Sequence, residues 1–453
     1  MQVQVSLTIE LSASANLSQM EQQIQEAGHQ AMREAMKRAV RQWEEAHRSC
    51  PACGEQHCRL EGTVRRVIAT VFGRVTVPRL RFRCQACQKR WCPANSLLAE
   101  LKGGSISQPL QQAAVLAACS WPYRVASRLL KRLSGAQISP EEMRLLTNEQ
   151  GQQRAQQQQE EAEQQAAAPE SAEPSGKEQV EAAQPDEPLL VGMDGGWVCS
   201  REQRGGMEGK VAVVCSQMED LPMPELETTF SWSSRGAPRR PPRQRHRLAK
   251  RRYVATFAPA RHLGQQAQAA AQQLESSSSR RVVVLADGAA WIKQEQGKHF
   301  PHATCILDWA HLWREVRKAI LAAARAKGLA AKERDYQLYF HRTALWLGNV
   351  EQALEGLRRL SEGVPTDLLK PVQEAIRYLE NQRSWIGSYE DWRQQGYPVG
   401  SGMIERAVAI VINRRMKKRG MRWKRVNGTA IVALRCDLLN DDWITPQPLR
   451  AFP

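Results

Sequence analysis

The stretch PLLVGMDGGWVCS, residues 188–200, opens on an apolar run that breaks at Asp194-Gly195. A second stretch, RVVVLADGA at 281–289, repeats the plan with Asp287-Gly288. Its continuous β-branched run predicts a strand buried on both faces. Around these two lie KVAVVCSQ (210–217), RYVATFA (252–258) and HATCIL (302–307), which also predict strands. RHLGQQAQAAAQQLES (261–276) and AAWIKQEQGKHF (289–300) predict helices. Residues 308–386 carry helical spacing and no strand signal, and 402–418 and 426–440 predict two more helices. The order strand, strand, strand, helix, strand, helix, strand, helical block gives an α/β class. Its sheet is mixed, and one all-helical insertion occupies about 310–395 of a region spanning 189–445.

Upstream, residues 149–188 are a Gln-, Ala-, Glu- and Pro-rich segment with ten acids against two bases, read as a linker over 151–188. Residues 105–150 predict helices with a break at Ser134-Gly135 and a fresh start at Ser139-Pro140-Glu141-Glu142. YRVASRLLKRL and SPEEMRLLTNEQ, joined by a Gly-containing turn, suit either a helix-turn-helix or a plain helical hairpin. Residues 1–48 carry an amphipathic helix, with Ile24, Met32, Met36, Ala39 and Trp43 as its apolar side.

Six of the eleven cysteines fall between Cys50 and Cys92. Cys50-x-x-Cys53 and Cys84-x-x-Cys87 flank two alternating runs, TVRRVIATV and RVTVPRLRF, with Phe72-Gly73 as the turn. Two thiolate knuckles brought together by a hairpin complete a tetrahedron, so residues 49–95 read as a zinc ribbon. His57, Cys58 and Cys92 read as spare or supporting residues. Four thiolates leave no open position, so this metal is structural. The hairpin arginines, Arg65, Arg66, Arg74, Arg79, Arg81 and Arg83, suit a DNA backbone.

The chain has 453 residues and a formal charge of +17, with pI near 9.6. Such an excess favours a polyanion. No apolar run of membrane-spanning length occurs and the N-terminus lacks a basic signal region, so no membrane partner and a cytoplasmic, nucleoid-associated location are expected. Two stretches concentrate the charge. RGAPRRPPRQRHRLAKRR (235–252) contains Arg239, Arg240, Arg243, Arg245, Arg247, Lys250 and Arg251 and reads as a loop between two strands. RRMKKRGMRWKR (414–425) contains Arg414, Arg415, Lys417, Lys418, Arg419, Arg422 and Lys424. Both read as DNA contacts, and Trp423 could stack on a base or pack inside.

An Asp closing a strand is often a turn former. Asp194 and Asp287 closing neighbouring strands instead offer hard oxygen ligands for magnesium or manganese. The Gly after each lets a ligand approach the backbone. Glu405, in YPVGSGMIERAV, lies one turn into a helix and is a third candidate. Together the zinc ribbon, VGMDGG, LADGA-WI, DWAH, GSGMIE and GMRW resemble bacterial insertion-sequence transposases of the DDE type, most closely the Kra/Lre-type families. The helical block resembles the insertion of the Mutator-like and hAT-like branches. The similarity runs from Cys50 to Leu439 and leaves the acidic linker unmatched.

The resemblance implies an RNase H-like core in which Asp194, Asp287 and Glu405 hold two magnesium or manganese ions about 3.5–4 Å apart. Cleavage of element ends, joining to target DNA, and a homodimer or larger synaptic complex are implied with it. It also gives Asp308 and His311, in Asp308-Trp-Ala-His311, a supporting role. From the residues alone His311 is equally a core histidine. Two other readings fit the same residues: another RNase H-like nuclease, or a non-enzymatic DNA-binding protein derived from a transposase.

Overall fold

Leu17–Ala46 form the first helix (α1) of a computed structural model that describes residues 2–11, 14–101, 104–167, 188–221, 245–274, 281–365 and 368–443. Asn16 and Gln19 cap it reciprocally, each side chain accepting from the other's backbone N–H at 3.0 Å. The buried side is shorter than its sequence predicts. Ile24 and Met32 are exposed, while Met36, Val40 and Glu44 meet the hairpin of Cys58–Thr70 (β1) and Gly73–Cys84 (β2). At the hairpin turn Gly73 has φ +103°, a value that excludes most side chains. Val75 and Val77 point inward by strand alternation and pack with Ile68. Arg90–Trp91 (β3) adds a short third strand, and Ala94–Leu97 (α2) closes the cluster. The Glu44 carboxylate is fully buried and accepts from Leu80 N at 3.0 Å and Ala94 N at 3.2 Å, tying α1 to both.

Gln108–Ser120 (α3), Tyr123–Ser134 (α4) and Pro140–Ala167 (α5) follow. Gly135, at φ +69°, ends α4. Ser139 and Glu142 open α5 as a capping box, with bonds of 3.1 and 2.8 Å. Ala114, Ala118, Ala126, Ile138 and Met143 form the shared core of these helices. The linker expected from 151 is helical as far as Ala167, because Ala162 is buried and Arg154 pairs with Asp437 at 2.7 Å. Residues 168–187 of that segment lie outside the described residues. The chain divides into two compact units, 1–150 and 151–453, so ribbon and helical module share one unit.

The second unit is built on Leu189–Cys199 (β4), Gly206–Leu221 (β5), Arg245–Thr256 (β6), Val282–Ala286 (β7) and Thr304–Leu307 (β8). Their order is β6-β5-β4-β7-β8. β4, β5 and β6 are antiparallel; β4, β7 and β8 are parallel. Ala260–Leu274 (α6) and Ala290–His299 (α7) make the crossovers. Trp309–Ala326 (α8), Ala331–Trp346 (α9), Val350–Ser361 (α10), Lys370–Gln382 (α11) and Tyr389–Gln394 (α12) are the helical block. Gly402–Val408 (α13), a π-helical turn over Ala409–Asn413, Arg414–Met416 (α14) and Arg425–Leu439 (α15) complete the unit.

One core joins the sheet to α6, α7, α8 and the helical block; the other joins its opposite face to α13, the π turn and α15. The class is mixed α/β, as read from the sequence. Two expectations are corrected here. The basic stretch 235–252 is strand from Arg245 onward, pairing Arg245 with Leu221 and Arg251 with Cys215. Residues 402–418 are not one regular helix but α13, the π turn and α14. Among the described residues no helix is long and apolar enough to cross a membrane.

Candidate functional site

The parallel ladder sets the site. Met193 pairs with Ala286, and Ala286 pairs with Leu307. The next residue on each strand is an aspartate: Asp194, Asp287 and Asp308. Three aspartates therefore follow one another on neighbouring strands whose backbones lie about 4.8 Å apart. They stand at the carboxyl ends of the parallel strands, where open α/β sheets bind ligands. Asp194 is not at the end of its own strand, as its sequence suggested. It lies mid-β4, still paired with Val211 of β5, and is terminal only with respect to β7.

Glycines bring Glu405 to this row, though not the glycines that adjoin the aspartates. Gly192, Asp194 and Gly196 share one face of β4. A Cβ on Gly192 would lie 2.9 Å from Met403 Cε and 3.1 Å from Ile404 Cβ. One on Gly196 would lie 2.9 Å from Val408 Cγ1. Bare backbone on both sides of Asp194 thus seats α13 against the strand, and α13 carries Glu405. Gly195 and Gly288, expected to admit a ligand, are crowded instead by the Glu208 and Gln382 side chains.

Asp308 ties the parts together. It is fully buried and caps α8, accepting from Ala310 N at 3.2 Å and His311 N at 3.1 Å. It also accepts from Ser401 N at 3.0 Å and bonds the His311 ring at Nδ1. Ser401 Oγ in turn donates to Glu405 Oε1 at 2.8 Å. Trp309 N donates to Val399 O at 3.1 Å, holding the same turn. Ligand atoms of Asp308, His311 and Glu405 all come within 4.8 Å of one another. The resemblance assigned Asp308 and His311 only a supporting place; the register that sets β8, and so Asp308, beside Asp287 is what the sequence did not reveal.

The electrostatics follow from this crowding. Burial, then repulsion from Asp287 and Glu405, pushes Asp194 up to about 6, against the opposing bond from Gly195 N and the nearby His311. Burial opposes ionisation of Asp308, but its bonds from His311 and Ser401 hold it below the usual carboxylate range. The bond to Asp308 raises His311 in turn. A carboxylate such as Asp194, penalised for its charge beside other acids, is a donor whose ionisation a divalent cation favours.

The second metal-ligand cluster is the four thiols. Cys50 and Cys87 Sγ lie 3.6 Å apart, Cys53 and Cys84 3.6 Å, and Cys53 and Cys87 3.5 Å. Zinc–sulfur bonds of about 2.3 Å in a tetrahedron require edges of about 3.8 Å, so the cluster fits zinc with a slight opening. The backbone N–H of Cys87 lowers the Cys84 thiol to about 7, toward the thiolate that binds metal. Cys58 donates instead to Glu55 O at 3.3 Å, and it, His57 and Cys92 fall outside the group.

The basic stretches divide. Arg414, Lys417, Lys418, Arg419, Arg422 and Lys424 are exposed just beyond the π turn. Arg415 is not a surface cation: it is 1% exposed and lies over the Trp423 ring at 5.1 Å. Trp423 is a packing residue, with its Nε1 donating to Met416 O at 3.2 Å and its backbone joined to β4 at Cys199 O. Arg239, Arg240 and Arg243 lie outside the described residues. Arg245 and Arg247 are within β6; Lys250 and Arg251 are half-buried, Arg251 against Tyr253. In the other unit, the exposed cations of the helical module are Arg124, Arg128, Lys131 and Arg132 of α4. The first turn of α5, where a helix-turn-helix reads bases, carries Glu141 and Glu142. In comparisons with known proteins, no family model matches the chain, and a search of the curated proteins gives no match.

Proposed function

We propose that this chain is a DNA transposase of the DDE type, cleaving the ends of a mobile element and joining them to target DNA. The observation that carries the reading is the row of Asp194 and Asp287 in register on adjacent parallel strands, with Glu405 delivered across the Gly192 and Gly196 face. A mixed sheet with a helical block before Glu405 is the framework such an RNase H-like core expects. Asp194, Asp287 and Glu405 would hold two magnesium or manganese ions. Bound there, such ions lower the pKa of water or a 3′-hydroxyl and offset charge on the leaving oxygen of an in-line displacement at phosphorus. Asp308 keeps the start of α13 in place through Ser401, so Glu405 keeps its position as DNA enters. The exposed cations of 414–425 hold the phosphate backbone beside the site, and α4 and the zinc ribbon supply further contacts. No protein nucleophile is needed. Handling two ends together implies a dimer or larger assembly.

The test is cleavage of a duplex carrying the DNA that flanks this gene, with and without magnesium or manganese. Metal-dependent nicking at a fixed position is expected, abolished in Asp194→Ala with duplex binding retained. Tight binding without cleavage under either metal would replace this reading with that of a DNA-binding protein. Normal cleavage by Asp194→Ala would remove the site assignment.

A further inference from the structure

Beside Asp287 a cleft opens between α8 and α11, with a volume of about 360 Å³. His311, Arg314 and Lys318 line it from α8, at positions that share one helix face. Pro371, Glu374 and Tyr378 line it from α11 with the same spacing. Asp287 also lines it, so the cleft adjoins the carboxylate row. Its size is that of a small-molecule site and cannot admit a base-paired duplex. Its chemistry is mixed in an ordered way. The α8 wall carries two exposed cations: Arg314, paired with its neighbour Glu315 at 3.4 Å, and Lys318, which makes no ion pair among the described residues. The half-buried Tyr378 ring stands on the other, beside an exposed carboxylate, Glu374.

We infer that this cleft binds one unpaired nucleotide next to the scissile phosphate. The cations of α8 would hold its phosphate. The Tyr378 ring offers a stacking surface that accepts any base, and Glu374 accepts hydrogen bonds from an exocyclic base amine. A strand entering the site would therefore be parted from its complement there, at the unstacking cost that extrahelical capture carries. The inference rests on the proposed DNA chemistry of Asp287 but concerns residues that chemistry does not use.

The probe is a short single-stranded oligonucleotide carrying 5-iodo-deoxycytidine, irradiated with the full-length protein in calcium, and the crosslinked peptide is identified by mass spectrometry. A crosslink at Tyr378 is expected. The Arg314→Glu, Lys318→Glu double variant should bind the single strand about ten-fold more weakly, in line with the loss of phosphate contacts, and keep its duplex affinity. Crosslinks only at residues outside α8 and α11, or unchanged single-strand affinity in a folded double variant, overturn the inference. Should the double variant misfold, the wild-type crosslink decides. Metal-dependent cleavage with crosslinks elsewhere keeps the transposase reading and removes the nucleotide cleft. A crosslink at Tyr378 without cleavage under any metal keeps the cleft and removes the cleavage reading.

Discussion

Asp194 is held in a setting that penalises its charge, and that penalty is measurable. In the unfolded chain its pKa is the ordinary 3.8; in the fold it is pushed up to about 6. The cost of ionising it is therefore absent below about pH 4, grows between the two values, and is complete above about pH 6. Asp194→Asn should raise the stability of the metal-free protein by about 1–3 kcal/mol at pH 7.5 and leave it unchanged near pH 4. Thermal melts across that range check this. Added magnesium or manganese should stabilise the wild-type chain more at pH 7.5 than at pH 5, and the Asn variant little at either. Asp308 has the opposite character, since every bond it accepts favours its charged form. Asp308→Ala leaves the Ser401 and His311 donors without their partner and should cost about 2–4 kcal/mol by denaturant titration. It should also weaken divalent-ion binding through displacement of α13, although the proposal does not make Asp308 a ligand.

At the scale of elements, the site is a matter of register and close approach. Gly196→Val would drive a branched side chain into Val408 and Ile412, forcing α13 off the sheet. A loss of about 1–3 kcal/mol is expected, with divalent-ion binding by calorimetry reduced well beyond what that loss predicts. If ion binding survived intact, Glu405 would not depend on that packing. Asp287 was legible as a strand-end aspartate from LADGA, because a buried parallel strand has an unmistakable apolar run; VGMDGG marked Asp194 too, but as the end of a strand that runs on to Cys199. Asp308 was harder to read: β8 has only four residues and pairs with β7 alone, so HATCIL predicts a strand without predicting its register. The roles of Gly192 and Gly196 were hidden for another reason. A glycine that yields to a helix and one that yields to a ligand look alike until the helix is in place. Arg415 shows the converse: charge density marks it as a surface cation, yet its guanidinium packs over Trp423.

Across the whole molecule, the two units hold different metal-ligand groups, four thiols in one and carboxylates with a histidine in the other. The first unit carries the thiol cluster and a small hairpin core of seven buried apolar residues, while the sheet unit has two larger cores and no thiol cluster among its described residues. Chelation of zinc, or Cys84→Ser, should therefore unfold the first unit at lower temperature and leave the melting of the second in place. Calorimetry resolving two transitions, one of them chelator-sensitive, would show this; a single transition moving as a whole would contradict it. The acidic composition after residue 150 suggested a spacer, and the helix that continues to Ala167 was not legible in it. The π turn at 409–413 has a wider consequence. Its loosened carbonyls are held by the buried Arg435, which bonds Val411 O at 2.7 Å and Ile410 O, and it separates Glu405 from the exposed bases that follow. Each helical residue turns the chain by about 100°. Removing a single codon there would leave every catalytic candidate in place and rotate Arg414 and its neighbours by more than a quarter turn, so that the molecule kept its chemistry and lost its aim.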